Sequence, residues 1–196
     1  MNFSHEISSV GIDISSNTIK VAQITRNKSG QITLNTYGST LLRSGVLERG
    51  KIISPSELQS AIRQAFASAQ PIPVSANQVV VGLPERQVFH RFVTIHAEND
   101  QELQSKIYEE AKTSIPLPEE DLAVTYSIVQ RTNQENDVLI AVTSLNQLHI
   151  WQQLMQALQL NAIFDLELIA LKRGLFQEPL KTPVVIVDFG HDTTNI

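Results

Sequence analysis

The spacing of apolar and polar positions changes several times along the chain, and each change marks an element. Residues 18–25, TIKVAQIT, alternate with a period of two, Asn27-Lys28-Ser29-Gly30 reads as a turn, and 31–42, QITLNTYGSTLL, alternates again. With the β-branched start of VGIDISSNT at 10–18, this predicts three consecutive antiparallel strands. The period then lengthens. Ser54-Pro55-Ser56-Glu57 has the form of a helix start, with Ser54 as cap, Pro55 at the first helical position and Glu57 closing a capping box. Leu58, Ala61, Ile62, Ala65, Phe66 and Ala69 recur at helical spacing and predict one apolar face, which PIPV at 71–74 ends. QVVVGL at 78–83 is short, β-branched and bounded by Pro84, which predicts a strand buried on both faces.

A unit with its own rhythm follows. RQVFHRFVTI at 86–95 predicts a strand; Asn99 and Glu102 open a helix running to about Ser114, with Leu103, Ile107, Ala111 and Ile115 facing inward and Pro116 and Pro118 beyond its end. LAVTYSIVQ at 122–130 and VLIAVTS at 138–144 predict two more strands around the polar loop RTNQEND. The result is a strand-helix-strand-strand subdomain. Ser144 and Gln147 then open a helix striped by Leu148, Trp151, Leu154, Met155 and Leu158. AIFDL at 162–166 predicts a short strand running into a helix that ends near Phe176, and after the linker QEPLKTP the run VVIVDFGHDTTNI predicts a further buried strand that breaks into a polar turn.

Composition narrows the function. With 42% apolar residues the chain can bury an ordinary core, and a net charge of −5 with a pI near 5.5 argues against a basic surface for nucleic acid or anionic lipid. The absence of cysteine excludes disulfides and thiolate metal sites. The longest apolar runs, such as VLIAV at 138–142, are too short to span a bilayer, and MNFSHEISS lacks the basic start and apolar core of a secretory signal. The expectation is a cytoplasmic protein without direct membrane insertion. Histidines 5, 90, 96, 149 and 191 show no metal-binding spacing, although His90 and His96 share a strand face. Glu109-Glu110 and Glu119-Glu120-Asp121 read as a solvated helix end and loop rather than paired catalytic carboxylates, and no catalytic residue is assigned.

Two stretches carry chemistry. VGIDISSNT at 10–18 and VIVDFGHDTT at 185–194 share one grammar: a β-branched strand, an Asp at its end, then small or hydroxyl residues in a tight turn. Backbone amides and hydroxyls in such turns bind phosphate oxygens, and an Asp at a strand end can hold a divalent cation through water. Facing each other across a cleft, the two turns would bind a phosphate-bearing ligand through Asp13, Ser15, Ser16, Asn17 and Thr18 on one side. Asp188, Gly190, Thr193 and Thr194 would serve on the other, with Lys20 alternating back to the same mouth as a point charge and Asp13 and Asp188 holding Mg²⁺.

This pairing resembles the phosphate loops of actin-like ATPases. Within them the chain most resembles the PilM family of type IV pilus assembly, related to the division protein FtsA. GIDISSNTIK resembles the family's first phosphate loop and VVIVDFGHDTT its second; EEAKTSIPLPEEDLAVTYSIV at 109–129 is similar to its helix end and Ile-Pro-x-Pro-x-Glu turn, and FDLELIALKRGLF at 164–176 to its Asp-x-Glu strand and helix. The resemblance implies an α/β fold, an actin-like (ribonuclease H-like) core subdomain with an inserted strand-helix-strand-strand subdomain. The implied boundaries are core over 1–85, insertion over 86–145, core resumed over 146–182, and the start of a second actin-like half over 183–196. It implies ATP and Mg²⁺ as ligands, the N-terminal cytoplasmic peptide of PilN as partner in a groove beside the insertion, and indirect association with PilO, PilP and the pilus motor ATPases at the inner membrane. Family members carry a second half that supplies adenine and ribose contacts, so these 196 residues alone are expected to bind ATP weakly. His191 and Asp192 replace smaller residues in the second loop. Two other function classes use such loops, a phosphotransferase of the acetate and sugar kinase superfamily and an FtsA-like division protein. A kinase needs a substrate base near the γ-phosphate, for which no dedicated residue stands out between the loops.

Overall fold

The computed structural model describes residues 7–132, 135–176, 182–190 and 194–195. They divide into two compact units, one drawn from Met1–Glu85 and Gln152–Ile196, the other Arg86–Trp151.

The first unit is built on a five-stranded sheet. The alternating segments fold as β1 (Ile7–Ile14), β2 (Thr18–Arg26) and β3 (Ile32–Leu41), an antiparallel meander with a bulge between Gln23 and Ile24. A small ribbon, β4 (Leu47–Glu48) and β5 (Lys51–Ile52), leads to α1 (Pro55–Ala67). The chain returns as β6 (Gln78–Leu83), parallel to β1. After the second unit comes α3 (Leu145–Ala157), then β10 (Asn161–Leu166), parallel to β6, and α4 (Glu167–Leu175). The sheet order is therefore β10-β6-β1-β2-β3, the actin-like, ribonuclease H-like arrangement in which a meander is extended by parallel strands. A parallel neighbour requires a crossover, and α1 supplies it by packing over β2 and β3. Val10, Ile12 and Ile14 of β1, Ile19 and Val21 of β2, Val79, Val81 and Leu83 of β6, and Leu58, Ile62 and Ala65 of α1 are buried. Each such aliphatic side chain contributes about 1.5–3 kcal/mol by leaving water.

The contact between α1 and β3 is close enough to require glycine. A Cβ on Gly38 would lie 3.0 Å from Ala69 Cα and 3.2 Å from the Ala65 carbonyl oxygen, both backbone atoms that cannot rotate away. Gly38→Ala is expected to cost about 1–3 kcal/mol through overpacking, read as a lower urea midpoint at unchanged slope.

The second unit holds β7 (Val88–His96), entered through a 3-10 turn at Glu85–Gln87, α2 (Asp100–Ser114), β8 (Leu122–Arg131) and β9 (Glu135–Ser144). Its antiparallel sheet has the order β7-β9-β8. The amphipathic stripe of α2 packs Leu103, Ile107 and Ala111 against Ile95, Val138, Ile140 and Val142 on one face of that sheet. The helix starts as its sequence predicts: Asn99 Oδ1 accepts from the Glu102 amide at 2.9 Å, and Glu102 accepts from the Glu98 amide at 2.8 Å. At Ser54 the outcome differs. Its hydroxyl donates to the Glu57 carboxylate at 3.3 Å and caps no backbone group of α1. Asp121, read from sequence as part of a solvated loop, accepts from Ser144 Oγ at 2.6 Å and from the Asn146 amide at 2.9 Å, which fixes the start of α3. These two hydrogen bonds hold its carboxyl below the ordinary Asp range.

The strand expected over the valines near 185 is the main departure. Only Asp188–Phe189 (β11) forms a strand there, pairing with Thr194–Asn195 (β12) in a separate two-stranded ribbon. Val184, Val185 and Val187 lie exposed, because no neighbouring strand covers them.

Candidate functional site

The first polar turn closes the β1–β2 hairpin. The Ser15 amide donates to the Thr18 carbonyl at 2.9 Å, and Ser15 Oγ accepts from the Thr18 amide at 3.1 Å and lies 2.8 Å from Thr18 Oγ1. Ser15 Oγ also approaches Asn17 Oδ1 at 3.1 Å. The Asn17 carbonyl accepts from the Leu42 amide at 2.8 Å, tying the turn to the end of β3. The Ser15 and Thr18 hydroxyls are thus occupied in shaping the turn, whereas the Ser16 and Asn17 amides donate to nothing among the described residues. Those two amides are the turn's free donors.

Register places Asp13 directly opposite Lys20, and Lys20 Nζ lies 3.2 Å from Asp13 Oδ2 in a half-exposed ion pair. Asp188 stands in β11, opposite Asn195, with Gly190 just beyond and Thr194 opposite Phe189. Thr193, His191 and Asp192 lie outside the described residues.

Between these groups lies a residue to which the sequence reading gave no role. Glu167 opens α4, and its carboxyl is pushed up to about 7 by burial first and then by the charges of Asp13, Asp188 and Glu85, with Lys20 opposing. Asp13 on the five-stranded sheet and Asp188 on the ribbon therefore act on one carboxyl. Glu85, beyond the end of β6, also caps α4: its Oε1 accepts from the Leu168 amide at 3.3 Å, where the N-cap residue Leu166 offers no side-chain acceptor. Arg173 of α4 pairs with Asp165 in β10. The sequence signal for Glu167 was the Asp165-x-Glu167 spacing at a strand-helix junction; Glu85, next to Pro84, gave none.

A carboxyl with a pKa of about 7 exchanges its proton at neutral pH, and four carboxyl groups beside one lysine leave an excess of negative charge that a cation would relieve. Among the described residues, no three His, Asp or Glu side chains converge to ligate a metal directly.

The folded state retains the Glu167 proton up to about pH 7, whereas the unfolded chain releases it above the ordinary glutamate value of 4.5. Stability from this group is complete below pH 4.5, falls as pH rises, and is fully lost above about 7. Glu167→Gln should flatten that slope and raise stability at pH 8 by about 1 kcal/mol after allowance for solvent screening, as read by urea unfolding at pH 5 and 8.

No helix among the described residues is long and apolar enough to cross a membrane. Among solved structures the fold matches a chain of the "PilM-PilN type IV pilus biogenesis complex" with a TM-score of 0.75 at 18% identity, over 88% of this chain and 52% of that one. The chain thus spans about half the length of that structure. A more distant match, at a TM-score of 0.46 and 11% identity, is the cytoplasmic domain of EpsL, an inner membrane component of the type II secretion system of Vibrio cholerae, over 80% of this chain and 56% of that one. The family model for type IV pilus assembly protein PilM matches residues 11–196. The chain belongs to the PilM family of type IV pilus assembly proteins.

Proposed function

We propose that this protein is a nucleotide-dependent scaffold of type IV pilus assembly. It binds Mg²⁺-ATP at the strand ends and recruits the N-terminal cytoplasmic peptide of PilN. The single observation that supports the nucleotide reading most is that Asp13, Asp188 and Lys20 all act on Glu167 at one mouth. The Ser16 and Asn17 amides and Lys20 would hold phosphate oxygens, and Asp13 and Asp188 would hold Mg²⁺ through water. The metal would neutralise phosphate charge. On this reading residues 183–196 open a second actin-like half whose residues contact adenine and ribose, the 196 residues alone bind ATP weakly, and the insertion over 86–145, within the compact unit Arg86–Trp151, is the partner-binding subdomain. The protein would work in the cytoplasm, held at the inner membrane through PilN and indirectly through PilO and PilP, and would communicate with the motor ATPases. The partner reading draws on the likeness to a chain solved in complex with PilN.

Titration with the N-terminal peptide of the cognate PilN tests it. Saturable one-to-one binding is expected; failure to saturate at about 1 mM, equivalent to less than about 4 kcal/mol of affinity, would contradict the scaffold. Transfer of the γ-phosphoryl group to a small hydroxyl or carboxylate substrate would support the kinase reading instead.

A further inference from the structure

The net charge of the chain resides in one of its two units. Arg86–Trp151 carries Arg86, Arg91, Lys106, Lys112 and Arg131 against ten Asp and Glu, the whole of the −5, while the rest of the chain is balanced. Four of those five cations are already held by carboxylates of the same unit: Arg91 by Glu110, Lys106 by Glu102, Lys112 by Glu109 and Glu119, and Arg131 by Asp100. The field this unit presents to solvent is negative.

Its three-stranded sheet has one face packed on α2, while the strand register defines the other. Phe92 stands opposite Leu139 and Leu139 opposite Ser127; Thr94 stands opposite Asp137, and His96 opposite Glu135. Phe92 is 59% exposed beside half-buried Leu139, so the middle of this outer face is apolar. Asp137, which accepts from Thr94 Oγ1 at 2.7 Å, and exposed Glu135, 3.6 Å from His96 Nε2, occupy one end of it. Asp137 is two residues from Leu139 along β9, a separation of about 7 Å, which matches alternate side chains on one side of an extended chain. The neighbouring edge strand β8 exposes Val129, also at 59%. A second copy of this chain would bring an equally negative unit to the same face, and nucleic acid or anionic lipid would be repelled.

We propose that the outer face of the β7-β9-β8 sheet docks an extended basic segment of a partner protein, with apolar side chains on Phe92 and Leu139 and Lys or Arg side chains on Asp137 and Glu135. This rests on the scaffold reading only in taking the chain to be a platform for other proteins. Apolar contact supplies the adhesion, and the charges supply the selection against acidic segments and the steering.

A ten-residue peptide of alternating arginine and valine, with its glutamate-valine counterpart as control, tests the surface by amide chemical-shift mapping on the full chain. The basic peptide is expected to shift Phe92, Asp137 and Leu139, and Phe92→Ser and Asp137→Asn should each weaken binding by about fivefold without changing thermal stability. Raising the salt from about 0.05 to 0.3 M should weaken it further. Equal binding of the acidic peptide, no binding of the basic one, or a shift map centred instead on a small pocket lined by Phe89 of β7 and by Ala111 and Ile115 at the end of α2 would each overturn the proposal. If the PilN peptide binds while the basic probe does not, this surface is wrong and the scaffold stands. If the PilN peptide fails while the basic probe binds as described, the PilN reading falls and this surface stands.

Discussion

Asp13→Ala is expected to weaken the proposed Mg²⁺-ATP binding by about 100-fold or more in Kd (~2.7 kcal/mol), while leaving the fold in place. The two halves of this expectation have separate physical grounds. Asp13 ends a buried strand, yet its own side chain is 44% exposed and its ion partner Lys20 is 63% exposed. A pair so open to solvent contributes at most about 1 kcal/mol, so the urea midpoint should scarcely move. Binding should respond strongly if the proposed site is right, because the Asp13 charge acts with those of Asp188 and Lys20 on the one Glu167 carboxyl. Removing its charge also lessens the repulsion on Glu167, whose proton should then be released at lower pH. Unchanged ATP affinity in a folded Asp13→Ala protein would assign the cluster another role.

The largest stability effect is expected in the second unit. Ile107 is 2% exposed at the centre of the α2 stripe, in a cluster with Leu103, Val138, Ile140 and Val142. Ile107→Ala removes its aliphatic branches from that cluster and should cost about 2–5 kcal/mol, because the sheet beneath cannot fully collapse into the void. The adjacent Lys106→Ala is the control. Lys106 lies on the solvent side, where its Nζ pairs with Glu102 one helical turn away at 2.7 Å and donates to the His96 carbonyl at 2.7 Å, exposed interactions worth about 1 kcal/mol together. If urea unfolding gave similar losses for the two variants, the assignment of the inward stripe would be wrong.

Elements whose own sequence determines them were legible without coordinates. The meander, the inward stripe of α2 and its Asn99 start are local facts of period and capping, and Leu103, Ile107 and Ala111 are buried as their spacing implied. The return of Lys20 to the side of Asp13 followed from strand alternation, since register is fixed wherever one face is buried, whereas their ion pair is seen only in the structure. What escaped depends on partners distant in sequence. The valines at 184, 185 and 187 have strand composition, but composition yields a buried strand only beside other strands. The bonds by which the Ser15 and Thr18 hydroxyls shape the turn, beside the Ser16 and Asn17 amides, are likewise not visible in composition. Glu167 owes its raised pKa to burial and to charges from three separate segments, none of which a local pattern can reveal. Glu85 likewise caps a helix that begins 82 residues later in the chain, at Glu167.

The account depends most on two distant strand ends serving one ligand, and amide mapping of the ¹⁵N-labelled 196-residue chain with millimolar Mg²⁺-ATP addresses this directly. Concerted shifts at Ser16 and Asn17, at Leu168 in the first turn of α4, and at Phe189 beside Asp188 are predicted, with the same concentration dependence at each. Shifts at only one of the two strand ends, or at neither while amides elsewhere respond, would contradict it.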